Sequence, residues 1–358
     1  MTVVDRSELT MLGSGGHHLV PGQWPETLAI LPEGVKRPMR VPEDMLRCVA
    51  FLYARFGGEP RPMGTAFWLA LPIPGYPDRI VTAFLTAQHV ITDCQDSDDG
   101  KVLVRVNTHH SGTKFVETSI GDWVQPERSI DVAILPNTDV LVGDRDLEFG
   151  AWRASNVATN EVMRSEGIGI GDEVFMVGLF HRHTGRDRNE PIIRVGNIAA
   201  FPSEPILGAN GPMQAILVEA RSIGGLSGSP VFVHMGFARW RDGEMYKSGT
   251  AAPFFLLGLV HGHWNIGEDR IDSVTSERGE PLNTGIAVVV PAEQIARHVL
   301  SIVEEAVQMK RKGLDDERRP VKDSAHPGSA TATADLLGKL LQVPKSEADE
   351  VHRQHPQS

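Results

Sequence analysis

The sequence predicts an all-β fold followed by one long helix. Between about residues 46 and 295, the apolar residues fall in roughly a dozen short runs that are rich in β-branched and aromatic side chains. Clusters of Gly, Pro, Asn and Asp separate these runs, and few runs have the length or the period of about 3.6 residues that an amphipathic helix needs. Because a parallel sheet would need helical crossovers that the sequence lacks, we expect sandwiches or barrels instead.

The elements follow one another in a simple order. Residues 1–40 are rich in Gly, Pro and charge and have no sustained apolar period, so we expect a flexible N-terminal extension, either a surface arm or a partly disordered segment. The strand-like runs then read CVAFLYARF, GTAFWLALPI, RIVTAFLTA, KVLVRV, DVAILP, DEVFMVGLF, PIIRVGNIAAF, QAILVEA, SPVFV, FFLLGLVHG and GIAVVVP.

One helix is predicted over residues 291–312. Pro291 opens it, Lys310–Lys312 precede Gly313 at its end, and an apolar stripe follows the helical period at Ile295, Val299, Ile302, Val303 and Ala306. Residues 313–358 read as a flexible linker and tail, with a short amphipathic piece, ADLLGKLLQVP, inside them.

Composition excludes several classes of partner. The 358 residues carry 35 basic and 46 acidic side chains, a net charge of -11, which argues against nucleic acid because phosphate binding needs a basic face. The longest apolar run, Ala251–Val260, has about half of the roughly 20 residues that cross a bilayer, so no membrane partner is expected.

Two cysteines and the N-terminal residues suggest a reducing compartment. The first 30 residues lack a basic start and an apolar core, so we expect no standard secretion signal. Cys48 and Cys94 are expected to be buried free thiols, and the protein is expected to be cytoplasmic.

The stretch SIGGLSGSPVF places glycines around one serine, Ser227, and Pro230 prevents a helix from following. A serine hydroxyl needs a base to accept its proton and donors to hold the oxyanion that forms. Glycines let the backbone turn its N–H groups toward one point, so the amides of Gly225 and Ser227 are candidates for an oxyanion hole. The alternative is a plain turn at the entry to a strand.

Two further residues suit a serine nucleophile. His89 ends the strand-like run that reads LTAQHV, where it is expected to precede a loop, and Asp131 begins the apolar run DVAILP. An aspartate there costs desolvation unless it is paired or capping. Each residue also has an ordinary interpretation: His89 could be a half-buried histidine without a catalytic role, and Asp131 could be a turn residue at the entry to a strand. Taken together, they occur in the order His, Asp, Ser that one branch of triad hydrolases uses.

These blocks resemble the trypsin/chymotrypsin-like serine peptidases, especially the bacterial branch with HtrA/Deg-type protease domains. LTAQHV is similar to LTAAHC or LTNNHV, DVAILP to DIALLK, and GGLSGSPVF to GDSGGP or GNSGGP. Softer blocks are GTAFWLAL, IGIGDEVFMVGL with RVGNIAAF, and LLGLVHGHW with NTGIAVVVPAEQI, so that the resemblance covers roughly residues 46–310. Ser229 replaces a glycine, Leu226 replaces an aspartate, and Val90 stands where many relatives have a disulfide cysteine. We expect no PDZ domain after the catalytic part.

The resemblance implies a peptidase domain over residues 41–312, built from two packed six-stranded antiparallel β-barrels at about 41–150 and 151–295. His89 would be the general base, Asp131 its orienting acid and Ser227 the nucleophile that cleaves peptide bonds of a protein or peptide substrate. No cofactor and no metal are implied. A cytosolic peptidase must also be restrained, and residues 1–40 and 313–358 are candidates for binding a regulatory protein partner.

The resemblance also places a pocket for the side chain that precedes the scissile bond. Arg221 or Ser222 would lie near its base, and the stretch Leu259–Trp264, with His261, Gly262 and His263, would form the opposite wall. A buried Arg221 would favour acidic side chains, whereas an Arg221 that points outward or pairs internally would not.

Three alternatives remain open. An α/β-hydrolase would read G-x-S-x-G before a helix, and Asp242 followed by His261 mimics its order, but Ser229 and Pro230 break that pattern. A metalloenzyme would use the pairs His109–His110, His181–His183 or His261–His263, but these lack H-E-x-x-H spacing and a fixed acidic partner, which favours loop histidines. The third is a catalytically silent fold that acts as a protein-binding module.

Overall fold

The computed structural model describes residues 41–317 except for residues 74–75, 111, 128, 137, 139–140, 142–143, 209–210, 221–224, 237, 242–243, 248–253 and 267–281. The predicted N-terminal extension and most of the predicted tail therefore lie outside the described residues. Among the helices of the described part, none is both long enough and apolar enough to cross a lipid bilayer.

Eight strands form the first sheet. Its path is β5-β4-β1-β2-β3-β6, with β7 paired to β4 and β8 paired to β2. All pairs are antiparallel except β2 with β8. The bounds are β1 Val49–Phe56, β2 Glu59–Ile73, β3 Tyr76–Thr86, β4 Lys101–Thr108, β5 Thr113–Ser119, β6 Ala133–Leu135, β7 Leu147–Glu148 and β8 Trp152–Arg153.

Six strands close into a barrel in the second half of the chain. The order is β10-β13-β18-β17-β14-β9, and every neighbouring pair is antiparallel. Their bounds are β9 Glu173–Gly178, β10 Ile192–Ala200, β13 Ile216–Glu219, β14 Pro230–His234, β17 Phe254–Ile266 and β18 Leu282–Pro291. Two small hairpins add β11 Ile206–Gly208 with β12 Gly211–Met213, and β15 Ala238–Arg241 with β16 Glu244–Lys247.

Four α-helices are described: α1 Glu43–Arg47, α2 Gln88–Asp93, α3 Asn160–Glu166 and α4 Ala292–Glu317. The long helix α4 packs on β17, β18 and β2, and it buries Ile295, Val299 and Val303, three residues of its predicted apolar stripe. It continues past Gly313, where the sequence predicted its end. A single glycine costs a helix only about 1 kcal/mol, and the residues after it do not prevent a further turn.

Each half buries its own apolar side chains. In the first sheet, Trp68 stacks with Phe149 at 5.4 Å between ring centroids and lies 4.3 Å from the ring of Phe84. The barrel interior is filled by inward-facing residues of alternating strand positions, such as Val174, Met176, Val231, Val233 and Val289. Cys48 and Cys94 are buried free thiols, as expected.

The predicted fold class is confirmed, because the described chain is mostly antiparallel β-structure, with a closed six-stranded barrel in its second half and one long helix at its C-terminal end. Only the second unit is closed by strand pairing alone. In the first unit, the edge strands β5 and β6 do not pair within the described residues, and β6 is instead bridged at Ile134 to Val124, in the segment that follows β5.

Candidate active site

His89 lies on α2, and not at the end of a strand before a loop, as the sequence predicted. The strand β3 ends at Thr86, and the helix begins at Gln88. The first N–H groups of a helix have no partner inside it. The Asp131 carboxylate supplies one, since its Oδ1 accepts the backbone N–H of His89 at 2.9 Å. Asp131 therefore fixes the start of this helix, and with it the position of the histidine.

The same carboxylate also holds the imidazole of His89. Its Oδ2 lies 2.8 Å from His89 Nδ1. Asp131 precedes β6 and is buried, with 5% of its surface exposed, whereas the His89 side chain keeps 35% exposure. The pairing and capping roles that a buried aspartate needs are both present.

A second histidine shares Asp131. His261, on β17, places its Nδ1 2.5 Å from Asp131 Oδ2, and its ring meets that of His89 edge-on at 5.6 Å between centroids. Sequence reasoning placed His261 in a pocket wall and expected no acidic partner for it. That expectation is wrong because the contact joins positions 130 residues apart, and no local pattern signals such a pairing.

The electrostatics of the cluster follow from burial and charge. Burial alone would raise the pKa of Asp131, but the hydrogen bonds from His261 and His89 outweigh it and hold that pKa well below the usual range of a carboxyl. Burial lowers the pKa of His89, and the hydrogen bond and charge of Asp131, with the charge of Asp93, more than offset it, so that the pKa is raised. Asp131 is therefore ionised and can only accept, and both Nδ1 atoms must donate.

The turn that carries Ser227 is pressed against the first sheet. Thr65 on β2 donates its backbone N–H to the Ser227 carbonyl oxygen at 2.9 Å. A Cβ on Gly228 would overlap the Thr65 carbonyl oxygen and the Thr86 hydroxyl, and it would come within 3.1 Å of the Ala87 nitrogen. Gly228 also has a φ of 82°, which favours glycine. The Ser227 turn thus lies beside the chain that leads into His89.

The Thr65 hydroxyl ties both halves together. It donates to the Gly225 carbonyl oxygen at 3.1 Å and accepts the backbone N–H of Leu179 at 2.8 Å. On the other side of the turn, the N–H of Gly228 donates to the Val260 carbonyl oxygen at 2.9 Å. Val260 immediately precedes His261 on β17, so one strand anchors the turn and supplies the second histidine.

The two amides proposed for an oxyanion hole have no hydrogen-bond partner among the described residues. Gly225 has a φ of 102°, and its carbonyl is occupied by Thr65, but within the described part of the chain neither its N–H nor that of Ser227 is used in a hydrogen bond. The Ser227 residue is half-buried. Its hydroxyl forms no hydrogen bond with His89 among the contacts of the described residues. The roles of Gly225 and Ser227 stay predictions.

The remaining pocket residues are only partly placed. Arg221 and Ser222 lie outside the described residues, as does Asp242 of the α/β-hydrolase alternative. Gly262 and His263 lie on β17 directly after His261 and are half-buried. The strand that was predicted to line the pocket is therefore present beside the turn, while the predicted base of the pocket is not described.

The other histidine pairs differ from one another. His109 and His110 are exposed in a turn. His183 has an acidic partner after all, since its Nε2 lies 2.5 Å from Glu190 Oε2 on the surface. His181 follows β9 and approaches Gly225, where an added Cβ would lie 2.6 Å from its ring. Burial lowers the pKa of His181, which favours its neutral form.

One group of ligand atoms in the described residues has the composition of a metal site, namely His89, Asp131 and His261. Two ligands of one tetrahedral zinc ion lie about 3.3 Å apart, given bonds of about 2.0 Å. The two nitrogen–oxygen separations here, 2.8 and 2.5 Å, are hydrogen-bond lengths. The cluster is accordingly interpreted as a carboxylate that binds two N–H groups.

Comparisons with known proteins add the following. No family model matches the chain, and no curated protein matches it. Among solved structures, the chain is similar to the apo MamO protease domain from Magnetospirillum magneticum, with 15% identity and a TM-score of 0.43, over 71% of this chain and 97% of that chain. Because both values are low, this likeness carries no argument about activity, and the function has to be argued from the geometry of the site.

Proposed function

We propose that the protein is a serine endopeptidase in which Ser227 attacks a peptide carbonyl, His89 is the general base and Asp131 orients it. The observation that carries this proposal is the Asp131 carboxylate, which holds both the backbone and the ring of His89 next to the docked turn of Ser227. This arrangement fixes the tautomer of the histidine and leaves its Nε2 lone pair free to accept a proton.

The proposed reaction uses only groups of this chain and water. As Ser227 Oγ bonds to the carbonyl carbon, its proton passes to His89 Nε2, and the carbonyl oxygen becomes an oxyanion. The imidazolium then gives that proton to the leaving amine as the peptide bond breaks. Water attacks the acyl-enzyme by the same route in reverse, which releases the acid and restores the Ser227 hydroxyl.

The backbone supplies the oxyanion donors in this proposal. The N–H groups of Gly225 and Ser227 flank the buried Leu226 and are not otherwise used within the described residues. Loss of one such donor costs about 3 kcal/mol of transition-state stabilisation. Thiol chemistry is not a competitor here, since both cysteines are buried. Burial raises the pKa of the Cys48 thiol, and burial and the charge of Asp93 raise the pKa of the Cys94 thiol to about 12.

The test is hydrolysis by the purified full-length chain on a fluorogenic peptide library, with two serine variants. Ser227→Ala should lower kcat/KM by about 10⁴-fold or more, because the nucleophile is lost. Ser229→Ala is the matched control in the same turn. Its hydroxyl is buried and has no partner among the described residues, so activity should stay within about twofold. Hydrolysis that survives Ser227→Ala would refute the proposal.

A catalytically silent binding module is the second candidate. One observation favours it, namely that the Ser227 hydroxyl and His89 form no hydrogen bond in the described contacts. In that case the native chain would hydrolyse no peptide of the library, and Ser227→Ala would leave its binding of peptides unchanged. The same assay therefore separates the two candidates.

A further inference from the structure

His261 has no role in the proposed reaction, which needs one histidine. Yet its Nδ1 lies 2.5 Å from Asp131 Oδ2, closer than the Nδ1 of His89 at 2.8 Å, and both donate to the same oxygen. The position is built by the fold, because the residue before it, Val260, accepts the N–H of Gly228 and donates to the Ser229 carbonyl. The strand that holds the Ser227 turn thus also aims His261 at the carboxylate.

The single negative charge of a buried carboxylate is shared among the N–H groups that donate hydrogen bonds to it. Asp131 accepts three N–H groups, two from His89 and one from His261. Each hydrogen bond stabilises the ionised form of the carboxylate. Each also reduces the negative potential that remains to stabilise an imidazolium at His89. The N–H of His261 reaches the same oxygen, Oδ2, that pairs with the ring of His89, so it acts directly on the atom that would stabilise the imidazolium.

We propose that His261 is a positioning residue of this site, which locks Asp131 through a third N–H donor and restrains the basicity of His89. A role of His261 in catalysis rests on the proposed function. The hydrogen bond to Asp131 and its effect on the pKa of His89 do not depend on that proposal. Among the described residues, the charged and titratable groups that face His89 are Asp131 before β6, Asp93 on its own helix and His261 on β17. Of these, His261 alone acts on His89 through Asp131.

The first experiment uses the unmodified full-length protein with 15N-labelled histidine rings. At about pH 8, both His89 and His261 should carry their proton on Nδ1, because each faces an ionised carboxylate. Assignment comes from the spectra of His89→Gln and His261→Gln. A His261 ring that carries its proton on Nε2 in the unmodified protein would overturn the proposal.

The second experiment measures the pKa of His89 by the pH titration of its ring signals. His261→Phe keeps a ring but removes the donor, so the carboxylate charge is concentrated on His89, and its pKa should rise by about half a pH unit or more. His261→Gln restores a neutral donor, and the rise should be smaller. If the pKa of His89 in His261→Phe equals that of the unmodified chain, the proposal is wrong.

Activity provides a separate readout. If the chain is a peptidase, the acidic limb of its kcat/KM profile should move upward in His261→Phe by the same amount as the pKa of His89, and His261→Gln should restore part of the shift. A merely structural role would lower stability without moving the limb. If no hydrolysis is found at all, the proposed function fails, but the titration of His89 still decides the role of His261.

Discussion

Asp131 shows how much one side chain can organise. It begins α2 by accepting the His89 backbone N–H, sets the tautomer of the His89 ring, and binds His261. A buried carboxylate without these donors would be costly. Because Asp131 accepts all three N–H groups, the helix α2, the loop before β6 and the strand β17 meet at this residue. One carboxylate therefore sets the geometry of the candidate site.

The protonation state of His89 should make peptide hydrolysis depend on pH. Since the pKa of His89 is raised and only the neutral imidazole accepts a proton, kcat/KM should increase with pH through a limb above about pH 6.5. In Asp131→Asn the charge that raises the pKa is gone, so the limb should move to lower pH and kcat/KM should fall by about 10⁴-fold. A limb that stays in place in Asp131→Asn would show that this carboxylate does not act on the base.

Residues of the candidate site could be predicted from the sequence only where the neighbouring residues form a recognisable motif. His89, Asp131 and Ser227 could be selected because each lies in a short block with a recognisable environment, and the structure places the first two in contact. The partner of His261 could not be selected, because its contact depends on how β17 crosses the sheet far along the chain. The sequence pattern of a segment reflects its own helix or strand period, and a hydrogen bond to a distant segment does not change that pattern.

Among the elements, β2 and the turn before β14 carry the junction between the two halves. The Thr65 hydroxyl bonds a carbonyl and an amide of the second half, and both the threonine and Leu179 are fully buried. The neighbouring glycine, Gly178, is required for a similar reason, since a Cβ there would overlap the Ser229 hydroxyl. The close approach of these strands leaves no space for a larger side chain.

Thr65→Val tests this junction. The substitution keeps the shape but leaves the Gly225 carbonyl and the Leu179 N–H without partners, so the free energy of unfolding should fall by about 2–4 kcal/mol. Thr65→Ser, which keeps the hydroxyl, is the control and should lose less. Urea unfolding of both variants gives the comparison. A Thr65→Val protein as stable as the unmodified chain would mean that the hydroxyl does not hold the turn.

The elements themselves were predictable where apolar runs were long. Eleven runs identified in the sequence correspond to β1–β4, β6, β9, β10, β13, β14, β17 and β18. The strand β5 was missed because most of its side chains are polar or exposed, and the short pairs β11–β12 and β15–β16 have too few residues for a pattern. The seven-residue helix α3 was missed for the same reason, although Thr159 caps it and Gly167 ends it.

At the scale of the whole molecule, polar contacts join the first sheet to the loop between β9 and β10. Arg105 on β4 is 6% exposed, and its guanidinium donates to the carbonyls of Thr184, Gly185 and Arg186. Asn189 completes the contact by donating to the Arg105 carbonyl. A buried cation needs such partners. These hydrogen bonds join β4 of the first sheet to the loop that leads into β10 of the barrel.

If Ser227 is the activated nucleophile of the candidate site, a fluorophosphonate should react with it. The full-length protein is treated with the reagent, and its peptides are then analysed by mass spectrometry. We expect one modified residue, Ser227, with labelling lost in Ser227→Ala and kept in Ser229→Ala. A native protein that takes up no label, or takes it up at another residue, would show that Ser227 is not such a nucleophile.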